Sequence, residues 1–203
     1  VTNPPIDPFR ERCVMSLQAP VGPEGNTLCP SADQTHRIWL KKPVISPADI
    51  RVLEETDYRG WHSCVLDTTW PVEAGATGLS KALQQLCKKA EEASHNNQLL
   101  ILSDRNASES RVPMGSLLAL GAVHHHLIET RRRMTVGLIV HTAEAREVHQ
   151  ICVLLGYGAD AICSYLSLEL AATLRSQGLI DENLSDEKLY ENYAKAMETG
   201  IAK

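Results

Sequence analysis

The residues that could do chemistry in this chain are six cysteines, eight histidines and the polar groups that stand where apolar runs end. Thiolate metal sites need cysteines a few residues apart, in CxxC-like or Cys/His finger spacings. Cys13, Cys29, Cys64, Cys87, Cys152 and Cys163 are all far more widely separated. Most sit in apolar patterns, such as Cys64 before Val65-Leu66 and Cys152 before Val153-Leu154-Leu155, and so read as buried reduced thiols. That usage fits a reducing compartment, cytoplasm or plastid. His124-His125-His126 invites a metal reading. Consecutive positions on a helix point about 100° apart, so three in a row cannot hold one ion from a regular helix. His141, Arg146 and His149 read as a surface cluster near one helix start.

A second set of polar residues is more regular. Asp67-Thr68-Thr69, Ser103-Asp104-Arg105, His141-Thr142 and Ser164-Tyr165 each follow an apolar run. In a parallel α/β layer ligands bind beyond the carboxyl ends of the strands. Asp67, Asp104, Arg105, His141 and Tyr165 therefore form a candidate ligand face with two carboxylates, an arginine and a histidine. As a catalytic constellation this is weak, because polar residues at strand ends are needed in any case to cap the helices that follow. No GxGxxG, GxxxxGK[ST] or GxSxG segment is present. The residues by themselves assign no catalytic, cofactor-binding or metal-ligating role, and a stand-alone ligand-binding or regulatory module stays open as an alternative.

The elements that must position these groups alternate. Strands are expected at His36–Leu40, His62–Asp67, Leu99–Leu102, Met134–His141 and Ala159–Ile162. Helices are expected from Pro47 to about Glu55, with Ser46 as N-cap, and over Leu79–Asn96 and Val112–Arg131. A further helix runs from a Thr142 cap to Leu155, and two more span Leu166–Gln177 and Asp186–Glu198. Strand–helix alternation means right-handed crossovers and a parallel sheet of about five strands. A closed eight-stranded barrel needs about 250 residues, so the expected α/β fold is a half-barrel resembling an incomplete TIM barrel. Residues 1–35 differ: prolines 4, 5, 8, 20, 23 and 30 break any long element. They read as a Pro-rich extended arm packing on the domain at 36–203 or on its neighbours, with one short helix at Phe9–Leu17.

Composition excludes several classes. The chain has 203 residues, 43% hydrophobic and 22% charged, which is ordinary for a folded globular protein. A net charge of −5 argues against nucleic acid as a partner. No apolar run is long enough for a membrane span. The chain opens on Val1 without a secretory leader and closes on Gly200-Ile201-Ala202-Lys203, and reads as a segment of something longer.

Several long stretches resemble one family in order: Val1-Thr2-Asn3-Pro4-Pro5-Ile6-Asp7-Pro8, Gly22-Pro23-Glu24-Gly25-Asn26, Leu66-Asp67-Thr68-Thr69-Trp70-Pro71, Ile101-Leu102-Ser103-Asp104-Arg105, Ala122-Val123-His124-His125-His126, and Gly156-Tyr157-Gly158-Ala159-Asp160-Ala161. They resemble the central domain of the glutamate synthase large chain, over essentially the whole sequence. The resemblance implies an enzyme that forms two glutamates from glutamine and 2-oxoglutarate. Its amidotransferase domain releases ammonia into a tunnel that leads to an FMN domain carrying an iron–sulfur cluster. The central domain lies between them and is expected to be non-catalytic, to bind neither FMN nor the cluster, and to position the amidotransferase and FMN-binding domains. Two positions depart from the family pattern: Cys163-Ser164-Tyr165 stands where Asn-Pro-Tyr is usual, and Gln150 where a histidine is usual.

Overall fold

The computed structural model describes residues 14–203. Of the short helix expected at Phe9–Leu17, residues 9–13 lie outside the described residues, as do Ile6 and Cys13.

In chain order the elements are β1 (Ala19–Val21), β2 (Ile38–Leu40), α1 (Pro47–Glu54), β3 (Ser63–Asp67), β4 (Thr69–Pro71), α2 (Gly75–Ala93), β5 (Leu99–Ser103), β6 (Arg111–Pro113), α3 (Ser116–Glu129), β7 (Gly137–His141), α4 (Val148–Gly156), β8 (Ala161–Cys163), α5 (Tyr165–Ser176) and α6 (Asp186–Ile201). The central sheet has four parallel strands in the order β3-β5-β7-β8, with helices between them and no closure into a barrel. This is the expected α/β half-barrel. In β5 and β7 all five residues are buried, as continuous apolar runs covered on both faces require.

The first expected strand behaves differently. Ile38–Leu40 pairs antiparallel with Ala19–Val21 and joins no parallel sheet. The fifth place beside β8 is taken by the next few residues. Ile45 N–H donates to the Ile162 carbonyl at 2.9 Å, and Ile162 N–H donates to the Pro43 carbonyl at 2.8 Å. Pro43 has no N–H to give and Pro47 opens a helix at once, so only a single parallel bridge forms, at Val44 and Ile162.

The period-two alternation of the strands divides the core into two layers. Leu66, Leu100, Leu102, Leu138, Val140 and Ile162 face the layer under α2, α3, α4 and α6. Leu99, Ile101, Ile139, Ala161 and Cys163 face the other layer. In a closed barrel that second face would be filled from across the barrel. Here it is covered by Val21 of β1, by Ile45, by Ile50 and Leu53 of α1, by Trp61, and by Tyr165 of α5.

Two helices start later than expected. The Val112–Arg131 helix begins at Ser116, because Val112 lies in β6 opposite Trp70 of β4 and Pro113 keeps the preceding backbone extended. The helix expected after Thr142 begins at Val148. The intervening loop is tied down by Asp104. Ser46 and Ser185 cap α1 and α6 as expected, accepting from the N–H groups of Asp49 and Lys188 at 3.1 Å each.

Candidate functional site

The parallel sheet brings the carboxyl ends of β3, β5 and β7 side by side, since Asp67 registers with Ser103 and Ser103 with His141. Tyr165 enters from the first turn of α5, directly after β8. Asp67, Arg105, His141 and Tyr165 line a cleft of about 620 Å³, together with Ser103, Asn106, Val65, and Ile50, Arg51 and Glu54 of α1. Asp104 is 3% exposed and lies beneath this surface.

The Asp104 carboxylate is fully partnered. It accepts from the Thr142 hydroxyl at 2.7 Å, the Tyr165 hydroxyl at 2.7 Å and the Ala143 N–H at 2.9 Å. Charge-assisted bonds of this kind are about twice as strong as neutral ones. Burial pushes the Tyr165 phenol well above its ordinary value, and the bond it donates to Asp104 adds to the rise. A phenol held in that way is a fixed donor.

His141 is nearly buried. Its Nδ1 lies 3.1 Å from the Ser103 hydroxyl, and its ring meets the Tyr165 ring edge-on at 4.8 Å between centroids. Burial holds its pKa below the ordinary histidine value; the Asp104 charge pulls the other way and Arg105 with it downward. Arg105 stacks over the Tyr165 ring at 4.5 Å and pairs with Glu169 of α5 at 2.6 Å. Its charge is therefore already satisfied, across two half-exposed side chains.

Asp67 is engaged in the β4–β6 ribbon. It accepts from the Thr69 N–H and hydroxyl, from Asn106, and from Arg111 at 3.0 Å. Burial by itself would raise its carboxyl, but the Thr69 bonds, Asn106 and the Arg111 charge outweigh it and hold the pKa below the usual carboxylate range. All five expected face residues thus converge on one region, and each polar head is bonded within the chain.

Sequence reasoning missed Thr142 and Glu144 in their actual roles. Glu144 Oε2 accepts from the Ser116 N–H at 2.5 Å and the Ser116 hydroxyl at 2.6 Å, and so caps α3 from another loop. The only local signal is that Gly115, which precedes α3, has no side chain to cap with. The three consecutive histidines go to separate partners. His126 meets Glu91 at 2.8 Å, His124 accepts from Arg133 at 3.1 Å, and His125 packs edge-on against His124. Among the described residues His141, Arg146 and His149 are not brought to one centre, since Arg146 and His149 line a separate cleft of about 640 Å³ beside α3 and α4.

Comparison with known proteins decides the family. A family model described as glutamate synthase central domain matches residues 1–203. The chain belongs to that family. Over the whole chain it is 39% identical to the glutamate synthase [NADH] of Schizosaccharomyces pombe, covering 10% of that protein. It is 38% identical to the glutamate synthase [NADPH] large chain of Azospirillum brasilense, covering 13% of it. It is 37% identical to the ferredoxin-dependent glutamate synthase of Pyropia yezoensis, covering 14%. The chain therefore spans only a small part of the curated relatives it matches.

The FMN and the iron–sulfur cluster that the family implies do not fit the described residues of this central domain. Cys64, Cys87, Cys152 and Cys163 stand on β3, α2, α4 and β8, and no group of three or more metal-ligating side chains occurs among the described residues. A flavin phosphate would need free N–H groups at the strand-end loops and helix N-termini. Here Asp104 takes the Ala143 N–H, Glu144 takes that of Ser116, and Gln150 Oε1 takes those of Arg146 and Glu147. At these three places the chain's own side chains take the N–H groups that an anion would use. Gln150, one of the two departures from the family pattern, supplies one of those fillings. At the other departure, the Ser164 hydroxyl is buried without a hydrogen-bond partner among the described residues.

Proposed function

We propose that this domain works inside a glutamate synthase that forms L-glutamate from L-glutamine and 2-oxoglutarate, holding the amidotransferase and FMN-binding domains in register around the ammonia path. It contributes surfaces and rigidity rather than reacting groups. The polar strand-end face serves as an internal clamp that ties α5 and the β7–α4 loop to the sheet. The matched relatives carry NADH, NADPH and ferredoxin in their names at similar identity, so the domain is indifferent to the electron donor. A reducing compartment, cytoplasm or plastid, suits its unpaired thiols. No helix of the described residues is long and apolar enough to cross a membrane.

One observation carries the reading. From Leu117 to Ile128, α3 has no Asp, Glu, Lys or Arg, although it lies at the surface. Leu118 is 47% exposed, Ile128 49% and the adjoining Tyr157 52%. A surface helix without charge marks a face that is covered in the working protein. The test replaces Leu118 and Ile128 with Asp in the full-length enzyme. Glutamine hydrolysed per 2-oxoglutarate consumed is expected to rise as ammonia escapes. A variant with unchanged coupling would overturn the linking role.

A further inference from the structure

The sheet is finished at one side and open at the other. Beside β8 lie Pro43–Ile45, but among the described residues no strand pairs with the outer side of β3. The direction of its backbone groups follows from the bonds at its ends. His62 accepts from the Leu99 N–H and Thr68 donates to the Ser103 carbonyl, so the even-numbered residues of β3 serve β5. Ser63, Val65 and Asp67 therefore turn their N–H and C=O groups outward.

Sheet edges that stay exposed are normally blunted by Lys, Pro, a bulge or an inward charge. The sequence Ser63-Cys64-Val65-Leu66-Asp67 has no Lys and no Pro, and pairs with β5 in unbroken register. Its single charge, Asp67, is already held by Arg111 and Thr69. Val65 is 47% exposed, and with Asp67 it lines the 620 Å³ cleft, to which α1 contributes Ile50, Arg51 and Glu54. An open edge next to a cleft is the arrangement used in recognition by strand addition, where main-chain bonds give affinity and side-chain pockets give specificity.

We propose that the outer edge of β3 is completed by an extended segment from another domain of the same glutamate synthase polypeptide, with its alternate side chains lying over Val65 and into the adjoining cleft. The proposal rests on the reading that the domain works within a longer chain. Two considerations choose this occupant over a second copy of the domain. The matched relatives are so much longer that the domain covers 10% to 14% of their length, and a tethered segment binds as if at roughly millimolar concentration. A five-residue edge spans only about 17 Å, far short of the roughly 1,000 Å² that a stable dimer interface buries. The segment is expected to be apolar where it faces Val65 and Ile50, and of either charge where it reaches Arg51 and Glu54.

The test is hydrogen exchange resolved to residues 63–67 in the full-length enzyme. The outward Val65 amide is expected to exchange at least about a hundredfold more slowly than an unstructured amide. Exchange of Val65 at close to the unstructured rate, with Leu66 protected, overturns the proposal. Because that amide serves no bond to β5, Val65→Pro leaves the sheet ladder intact and removes only the outward donor. It is expected to abolish the added protection at Ser63 and Asp67, while β5 and β7 stay protected. Val65→Lys, which keeps the amide but sets a charge under the added segment, is expected to give the same result. A change in sedimentation from dimer to monomer on Val65→Pro would assign the edge to a second copy and overturn the intramolecular segment. An unprotected β3 in an enzyme that still couples glutamine hydrolysis to glutamate formation sinks this proposal and leaves the linking role standing.

Discussion

The Tyr165 hydroxyl donates to Asp104 Oδ1 at 2.7 Å, and that bond fastens α5 to the end of β5 across the sheet. Removing it leaves a buried carboxylate with one donor fewer. Tyr165→Phe should cost about 1.5–3 kcal/mol, the range for a hydrogen bond to a charged partner. Thr142→Val should cost a similar amount, since its hydroxyl reaches the other oxygen at 2.7 Å. Asp104→Ala should cost more than either, because it strands both hydroxyls and the Ala143 N–H. Urea unfolding of the three variants checks the order.

His141 makes stability depend on pH in a defined sense. Burial holds its folded-state pKa below the unfolded value of about 6.5, so the folded protein favours the neutral ring. Its contribution is complete above about pH 6.5 and declines as the pH falls through the unfolded pKa toward the folded one. His124, lowered by burial and by the charge of Arg133, acts in the same direction. His141→Gln should therefore flatten the fall in melting temperature below about pH 6.5 without removing it. An unchanged slope would contradict the burial argument.

At the opposite end of the sheet, Arg133 spans Asp160, the Gly158 carbonyl, the Val136 carbonyl and His124. Burial raises the Asp160 carboxyl above its ordinary value, and Arg133 together with the Leu138 N–H only partly offsets this. Arg133→Met should cost about 3–5 kcal/mol by leaving a buried charge unpaired. Adding Asp160→Asn should recover part of that loss, because the amide oxygen still accepts from Leu138. A double-mutant cycle in urea measures the recovery.

Gly137, at the start of β7, is where the N-terminal hairpin touches the sheet. A Cβ there would lie 2.8 Å from Gly22 N and 2.8 Å from Val21 Cγ1. Gly22 cannot yield easily, since its φ of 117° suits glycine and any Cβ of its own would strike Trp61. Gly137→Ala should lift β1 off the sheet at a cost of about 1–3 kcal/mol. Faster limited proteolysis between residues 19 and 40, with the β5–β7 region still resistant, is the expected signature.

What could be read from the sequence follows the range of the forces involved. Leu99–Leu102 and Leu138–Val140 were legible because a strand buried on both faces must be apolar throughout. Once those strands were placed, the polar residues beyond their ends were placed with them, and Asp67, Asp104, Arg105, His141 and Tyr165 do gather there. Pairings between short distant pieces were not legible. Arg111 reaches Thr69 across 42 residues, and each strand of that ribbon has only three. Glu144 stands two residues after Thr142 in the sequence, 28 residues from Ser116, and only the fold shows it capping α3. Ile38–Leu40 has the composition of a sheet strand, but Ala19–Val21 claims its hydrogen bonds first.

The strand place beside β8 has a consequence for how the chain is made. Pro43–Ile45 leaves the ribosome before any strand of the parallel sheet, yet its partner Ile162 belongs to the last of them. Val21 and Trp61 likewise wait for Ile139 and Ala161 before their layer exists. Such long-range closure slows folding. During synthesis residues 19–61 of this domain must wait for a home until nearly the whole domain has been made, which makes that stretch the part of the domain most in need of a chaperone's protection.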